Sequence, residues 1–489
     1  MAPSSTDVHD SLLGPSAIPG YDSIVTPRAD DPEDAFGSAE GRKRLEKQLL
    51  RKLDRRVAFL VLVSIMNYLD RSNAGAARLS GLESDLHMSG SQFNTLISIL
   101  YVGYVLMQIP SNMFLSSLQR PSIYLSSCVF LWGVCSIATG ISQTFAGALA
   151  SRFFLGCCEA AWHPGAMFLL SRWYKRSELA WRISIITSGS TLSSAFGALI
   201  ASGVMGTMDT VFGFAGWRWL FLLEGSVTIL IAVFAIFVIP DYPSSSASWL
   251  TPKELALARR RLEEDVCHGD LDQAKYLSTL TQALTDWRMW WLSTALLCIF
   301  ATDSFVNFFP TLSATMGYSP TVSLLLCAPP WIVATITALI VASHSDSSRE
   351  LFWHMFIPLL ITVAGFVLAM STMSTPVRYL SLFLMAQLNI TIKLFMAWVS
   401  NSFPHSPRER AVALALINSV AHIGNVGGSY FWPSSWGPSY FKSFLLCILM
   451  AVIALVISQR YRSYLEAANK AAEEDERLKG LPKGFRYLL

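Results

Sequence analysis

Arg152 and Glu159 stand seven residues apart inside one long apolar stretch, and Asp70 and Arg71 stand side by side inside another. Seven residues is close to two turns of an α-helix, so Arg152, Gly156 and Glu159 form one stripe. Asn67, Asp70, Arg71 and Ala74 fall on one helical face in the same way. A charge inside a bilayer is costly and marks a substrate or ion pathway by default. Arginine stays charged there and presents a planar fork that fits a carboxylate bidentately. An anion competing for such an arginine frees the protein carboxylate to take a proton, so anion and proton move together. The alternative is a static Arg152–Asp70 salt bridge that only holds the amino-terminal helices together.

The second half of the chain offers sparser chemistry. Lys393 sits in the middle of an apolar stretch without a charged neighbour in that stretch, and Asp303 lies one turn from Asn307 in another. Two readings stay open for Lys393: a cavity-facing cation for an anionic substrate, or a structural pair with Asp303. Tyr101, Tyr104 and Gln108 form a polar stripe at i, i+3, i+7, and Asn418, His422 and Asn425 repeat that spacing later. Such stripes either line a pathway or hydrogen-bond between helices. His163, just before Pro164, is either a proton relay or a simply hydrogen-bonded helix-end imidazole. Gly189, Ser190, Ser194 and Gly197 read as close-packing positions, and the sequon at Asn389 falls inside an apolar span, where it is not used.

The elements that must position these residues are membrane spans. The chain is 52% hydrophobic and 15% charged over 489 residues, against roughly 25% charged in a typical soluble protein. Its apolar residues come in blocks of about twenty or more, the length that crosses a bilayer core. Twelve blocks are predicted, near 57–77, 92–116, 121–142, 145–170, 182–206, 217–239, 289–312, 320–342, 351–371, 377–403, 410–432 and 440–459. The outward loops then hold only Arg78, Arg218, Arg378 and Lys442, a Lys/Arg bias that puts both termini in the cytoplasm. The net charge of +3 is a topology signal that also suits anionic lipid, and it does not point to nucleic acid.

Domain organisation follows from the same pattern. Residues 1–56 form a largely disordered cytoplasmic tail, 57–240 a first six-helix bundle, 241–286 a polar cytoplasmic linker, 287–459 a second bundle, and 460–489 a second tail. Within the linker, Thr251-Pro252-Lys253-Glu254 predicts a capped, amphipathic helix over 252–265. The halves echo each other in their short polar second-to-third loops and in the basic loops after their fourth helices, which is the weak symmetry of parallel six-helix repeats. The eight cysteines have no disulfide or metal spacing, so no metal and no cofactor are predicted. Nothing has the pattern of a phosphate loop or a nucleophile triad, which argues against ATP-driven transport and against an enzyme.

Twelve spans, a mid-chain linker and several local stretches together give a resemblance. MNYLDRSNAGAA at 66–77, YVGYVLMQIPSNM at 101–113, RFFLGCCEAAWHPG at 152–165, GWRWLFLLEG at 216–225, PDYP at 240–243, the Asp346/Arg349 loop and NVGGSY at 425–430 carry it. The chain resembles the major facilitator superfamily, within it the anion:cation symporter family, and more narrowly the fungal allantoate-permease-like branch. The resemblance covers nearly everything after about residue 45, is densest in the first half, and does not specify the substrate.

That resemblance implies an all-α membrane protein of twelve transmembrane helices in two six-helix bundles. It implies alternating-access, proton-coupled symport of a small organic anion such as a ureido acid, a vitamin or a pyridine carboxylate. Asp70 and Glu159 map to protonation sites, and Arg71 and Arg152 to carboxylate binding and neutralisation. Arg218 and Glu224 match a family stretch and are read as structural. Arg120, the remnant of the usual loop 2–3 gating motif, and its counterparts Asp346 and Arg349 in loop 8–9 are read as conformational-switch contacts. His163 departs from the pattern, where an aromatic or apolar residue is usual. The expected partners are the anion, protons and the bilayer, for a monomer in the plasma membrane. Two rivals remain: an exporter or exchanger of a secondary metabolite, and a nutrient sensor without net transport.

Overall fold

The computed structural model describes residues 39–243, 249–265, 284–403, 407–479 and 487. Of the largely disordered tail expected over 1–56, residues before 39 lie outside them, as do the Ser run at 244–246 and Cys267, whereas 39–56 are helical as the start of the first helix. All regular structure among the described residues is helical. In chain order the long elements are α1 (Ala39–Leu79), α2 (Gln92–Ser117), α3 (Pro121–Ile141), α4 (Phe145–Ser171), α5 (Arg176–Thr207) and α6 (Gly216–Val238). After the linker come α7 (Trp287–Ala314), α8 (Pro320–Ser348), α9 (Phe352–Ser371), α10 (Thr375–Ser402), α11 (Pro407–Gly428) and α12 (Phe441–Lys479). Eleven helices are long and apolar enough to cross a membrane, and α1 is not among them. Asn67, Asp70, Arg71 and Asn73 dilute its apolar run, yet it packs against α5, α6 and α7 as the twelfth member of the bundle.

Several spans are broken, and their sequences give the reason. α4 divides at Ala160–Ala161, directly after Glu159, because Pro164 has no N–H to donate to the Ala160 carbonyl. α8 divides at Leu326–Cys327, where Pro329 and Pro330 remove two donors in the same way. α10, the positional counterpart of α4 in the second half, divides at Ala386–Gln387. Interrupted helices at corresponding positions of two repeats are where transporter folds place their sites.

Each half has its own interior. Trp132, Trp162 and Leu125 are buried in the first, and Trp398, Phe366 and Trp432 in the second. Large apolar side chains such as Phe237 and Leu339, 75% and 62% exposed, face outward from the bundle. That outward apolar surface suits lipid, where it is not a liability.

At the end away from the termini the halves are fastened together. Asn94 donates to the Ser429 carbonyl at 2.6 Å, Ser98 to that of Val426 at 3.3 Å, and Ser202 to that of Thr321 at 2.9 Å. Gly75 makes the tightest approach: a Cβ there would lie 2.3 Å from the Asn307 carbonyl oxygen of α7. The end that carries the termini is organised differently. The linker helix (Pro252–Asp265) is capped reciprocally by Thr251 and Glu254, as its sequence predicts, and lies on the first half. Lys52 reaches Glu254 at 2.8 Å, and buried Arg261 reaches both Glu46 and Glu178 at 2.6 and 2.5 Å.

Candidate functional site

The close packing of α2 on α4 fixes one wall of the site. A Cβ on Gly156 would stand 2.0 Å from the Leu100 carbonyl, so only glycine allows the two backbones to cross there. Three residues further on, at the break in α4, fully buried Glu159 accepts a 2.5 Å bond from Arg71 Nε. Arg71 is 12% exposed and lies 4.6 Å over the Tyr104 ring. A small, partly open space beside it is lined by Arg71, Leu96, Leu100, Tyr101, Arg152 and, from the second half, Asn307.

Asp70 and Arg71 are neighbours in sequence, but they serve different places. A helix turns about 100° per residue, and Asp70 points into the interior of the first half. Its carboxylate accepts from Trp132 Nε1 at 3.0 Å, Ser136 Oγ at 2.8 Å and Thr228 Oγ1 at 3.4 Å. The Arg152–Asp70 salt bridge weighed from the sequence is not formed: Arg152 Nη1 donates instead to the Asp70 backbone oxygen at 3.2 Å. The ion pair that joins α1 to α4 is Arg71–Glu159. Arg152 is 2% exposed, stacks 5.0 Å from Phe221, and lies within electrostatic range of Asp70, Glu159 and Glu224.

Glu224, read from the sequence as structural, lies inside the same half. It is 5% exposed, it takes a hydrogen bond from Asn73 Nδ2, and its other oxygen has no protein partner. Arg218, grouped with it in sequence, does serve structure, donating to the Gly140 and Ser142 carbonyls at the end of α3 at 3.0 and 2.6 Å.

The second half closes the space from the other side. His422 of α11 stacks on Tyr101 with 6.1 Å between ring centroids and meets Tyr104 edge-on at 4.6 Å. Its Nδ1 pairs with Asn425 at 3.1 Å, and Asn307 donates to the Tyr101 hydroxyl at 3.3 Å. Gln108 accepts from Ser419 at 2.9 Å across the halves, while Asn418 on the same helix is half-buried. His163 is half-buried and in electrostatic range of Arg71 and His422.

Lys393 is not the structural partner of Asp303 that the sequence left open. Its Nζ donates to Thr191 Oγ1 of α5 at 2.7 Å, and Thr191 donates on to Asn389 Oδ1 at 2.8 Å. Asn389, the unused sequon, is therefore part of a polar bridge between halves, with Asp303 half-buried apart from it. Gly189 and Gly197 of α5 pack on Ile65 and Leu69 of α1, where a Cβ would come within 3.3 and 2.9 Å of the side chains. Arg120, Asp346 and Arg349 are all exposed at the end of the molecule that carries the termini. There Asp241 accepts from Ser122 N and Oγ at 3.2 and 2.6 Å, and Glu350 accepts from Trp353 N at 2.8 Å.

The comparisons with known proteins agree with this architecture. The family description "Major Facilitator Superfamily" matches residues 60–429. An MFS-type transporter of Penicillium expansum, cnsO, is 31% identical over 427 residues, covering 84% of this chain and 82% of that protein. A putative tartrate transporter of Agrobacterium vitis is 30% identical over 433 residues, covering 85% of this chain and 96% of its own. Among solved structures, a bacterial homologue of the human lysosomal transporter Spinster, inward-facing and unoccupied, superposes with a TM-score of 0.67 at 18% identity. It covers 83% of this chain and 96% of its own, and at that identity it speaks for the fold alone. With charged residues buried where two six-helix halves meet and a family match spanning both, the chain belongs to the major facilitator superfamily and is a multi-pass membrane transporter.

Proposed function

We propose that the protein carries a small organic anion together with protons, by alternating access of the space between its halves. The observation that carries this reading is the Arg71–Glu159 pair. A cation-bearing fork lines the small space between the halves, and its partner is a carboxylate with no exposure at all. A substrate carboxylate competing for Arg71 leaves Glu159 buried and unpaired, a charge that the protein relieves by protonation. Lys393 adds a second cationic head, held by a neutral hydroxyl that an anion can displace. His422, Tyr101 and Tyr104 supply an aromatic wall suited to a small planar or hydroxylated acid. The name of the Agrobacterium relative, a putative tartrate transporter, favours a carboxylate.

In this scheme the two halves rock about the fixed site, with Arg120, Asp346 and Arg349 making and breaking contacts at the end that carries the termini. The Arg71–Glu159 pair and the aromatic wall all come from one chain, which acts as a monomer. Both termini lie in the cytoplasm, and the residence is the plasma membrane. The test is uptake of labelled carboxylates, tartrate, ureido acids and pyridine carboxylates among them, into cells that express the chain, with and without a proton uncoupler. Accumulation that collapses with the uncoupler is expected. Accumulation indifferent to the uncoupler would sink proton coupling, and secretion in place of uptake would sink import.

A further inference from the structure

We infer that Glu224 is the resting proton-holder of a buried three-carboxyl cluster and exchanges that proton with Glu159 through the polar interior of the first half. The inference deepens the proton-coupled reading above and names a residue that reading does not use.

It rests on charge balance and on partners. Three carboxyl groups, Asp70, Glu159 and Glu224, lie in one buried region with two guanidinium groups, Arg71 and Arg152. With every group ionised the region carries a net negative charge, which a low-dielectric interior strongly disfavours. One proton on one carboxyl makes it neutral. Glu159 has Arg71 at 2.5 Å. Asp70 has three hydrogen-bond donors, and Arg152 sits on its backbone oxygen. Glu224 has a neutral amide, Asn73, as its hydrogen-bond donor and one oxygen without a protein partner. The proton therefore rests on Glu224.

The charged groups that face Glu224 are Asp70 on α1 and Arg152 on α4. Arg152 is in electrostatic range of both glutamates, with Nε and Nη2 unpartnered, and Glu159 Oε1 is unpartnered as well. When an anion takes Arg71, Glu159 becomes the uncompensated carboxylate and accepts the proton that Glu224 gives up. Glu224, ionised, then falls under Arg152; the bound anion leaves the region one negative charge, which a proton taken up with the substrate neutralises. No bond other than O–H is made or broken.

The experiment reads the proton itself, on the full-length carrier in liposomes. Infrared difference spectra between mildly acid and mildly alkaline buffer, with deuterium exchange, report the C=O stretch of a buried carboxylic acid. The wild type is expected to show that band and Glu224→Gln to lose it. A band of wild-type intensity in Glu224→Gln overturns the inference. Should that variant not reconstitute, Asn73→Ala removes the donor to Glu224, and the band is expected to shift; an unmoved band overturns it equally. Wild-type liposomes that move substrate without moving protons would defeat the coupling reading instead, and the band would still decide the assignment of Glu224.

Discussion

The two six-helix halves share a plan and differ in what they bury. The first half encloses Asp70, Arg152, Glu159 and Glu224, with Arg71 at its edge, bound to one another and to Trp132, Ser136 and Thr228. In the second, Arg378 does what Arg218 does in the first: it satisfies backbone carbonyls at the far end, here Pro438 and Ser439 at 3.1 and 3.0 Å. At mid-depth the second half presents Lys393 on a hydroxyl and His422 on aromatic rings. One half thus holds opposite charges that need each other, and the other holds polar groups on neutral partners. Removing one member of a buried pair strands its partner, whereas removing a cation held by a neutral group strands nothing.

That contrast can be broken in order of effect. Arg71→Gln is expected to abolish uptake and to destabilise the carrier by about 3–5 kcal/mol, because Glu159 is left as an unpaired buried charge. Melting in detergent checks it, and adding Glu159→Gln should recover the melting temperature without recovering uptake. Gly75→Ala tests the seam between the halves. Its Cβ would stand 2.3 Å from the Asn307 carbonyl, a clash that costs about 1–3 kcal/mol if the seam stays shut. The expected outcome is a lower cross-linking yield between cysteines placed at Ser98 and Val426, across that seam.

Lys393→Gln sharpens the comparison from the other side. The substitution removes a cation held only by a neutral hydroxyl and strands no charge, so stability should fall by only about 1 kcal/mol while uptake is lost. A melting shift as large as that of Arg71→Gln would remove the distinction between the halves.

The smallest effect belongs to the linker helix, outside the membrane. Burial alone would raise the Glu254 pKa, but hydrogen bonds from Lys52 and from the Thr251 backbone and hydroxyl outweigh it and hold the group below its ordinary value of 4.5. A depressed carboxylate stabilises the folded state above its unfolded pKa and loses that contribution as pH falls through its folded one. Hydrogen exchange across 252–265 should therefore quicken only in acid below the ordinary carboxylate value. Glu254→Gln should quicken it at neutral pH by the equivalent of about 1 kcal/mol or less.

Much of this was legible in the sequence because the bilayer demands it. Long apolar blocks and the bias of Lys and Arg between loops predict the spans, and the capped start at Thr251 predicts the linker helix that the structure contains. The break beside Glu159 was not predicted, since the span reads as continuous over 145–170, although Pro164 is its cause. The partners were not legible. Periodicity put Asp70 and Arg71 on one broad face, but could not tell that one turns inward to Trp132 and the other toward Glu159. Glu224 reads as structural from its family stretch, and its neighbours Asn73, Asp70 and Arg152 come from other helices that its own stretch does not name.

By itself the sequence determined that this chain crosses a membrane in two like halves and carries ionisable groups inside it. Hydrophobic length and the cost of buried charge are local properties, written residue by residue. Tertiary structure decided which charges meet. Arg71 with Glu159, Arg152 on the Asp70 backbone, and Lys393 on Thr191 are contacts across 88, 82 and 202 residues of chain. Such pairs depend on how helices rotate and approach when they pack, as at Gly156 and Gly75, and no single helix's sequence holds that information.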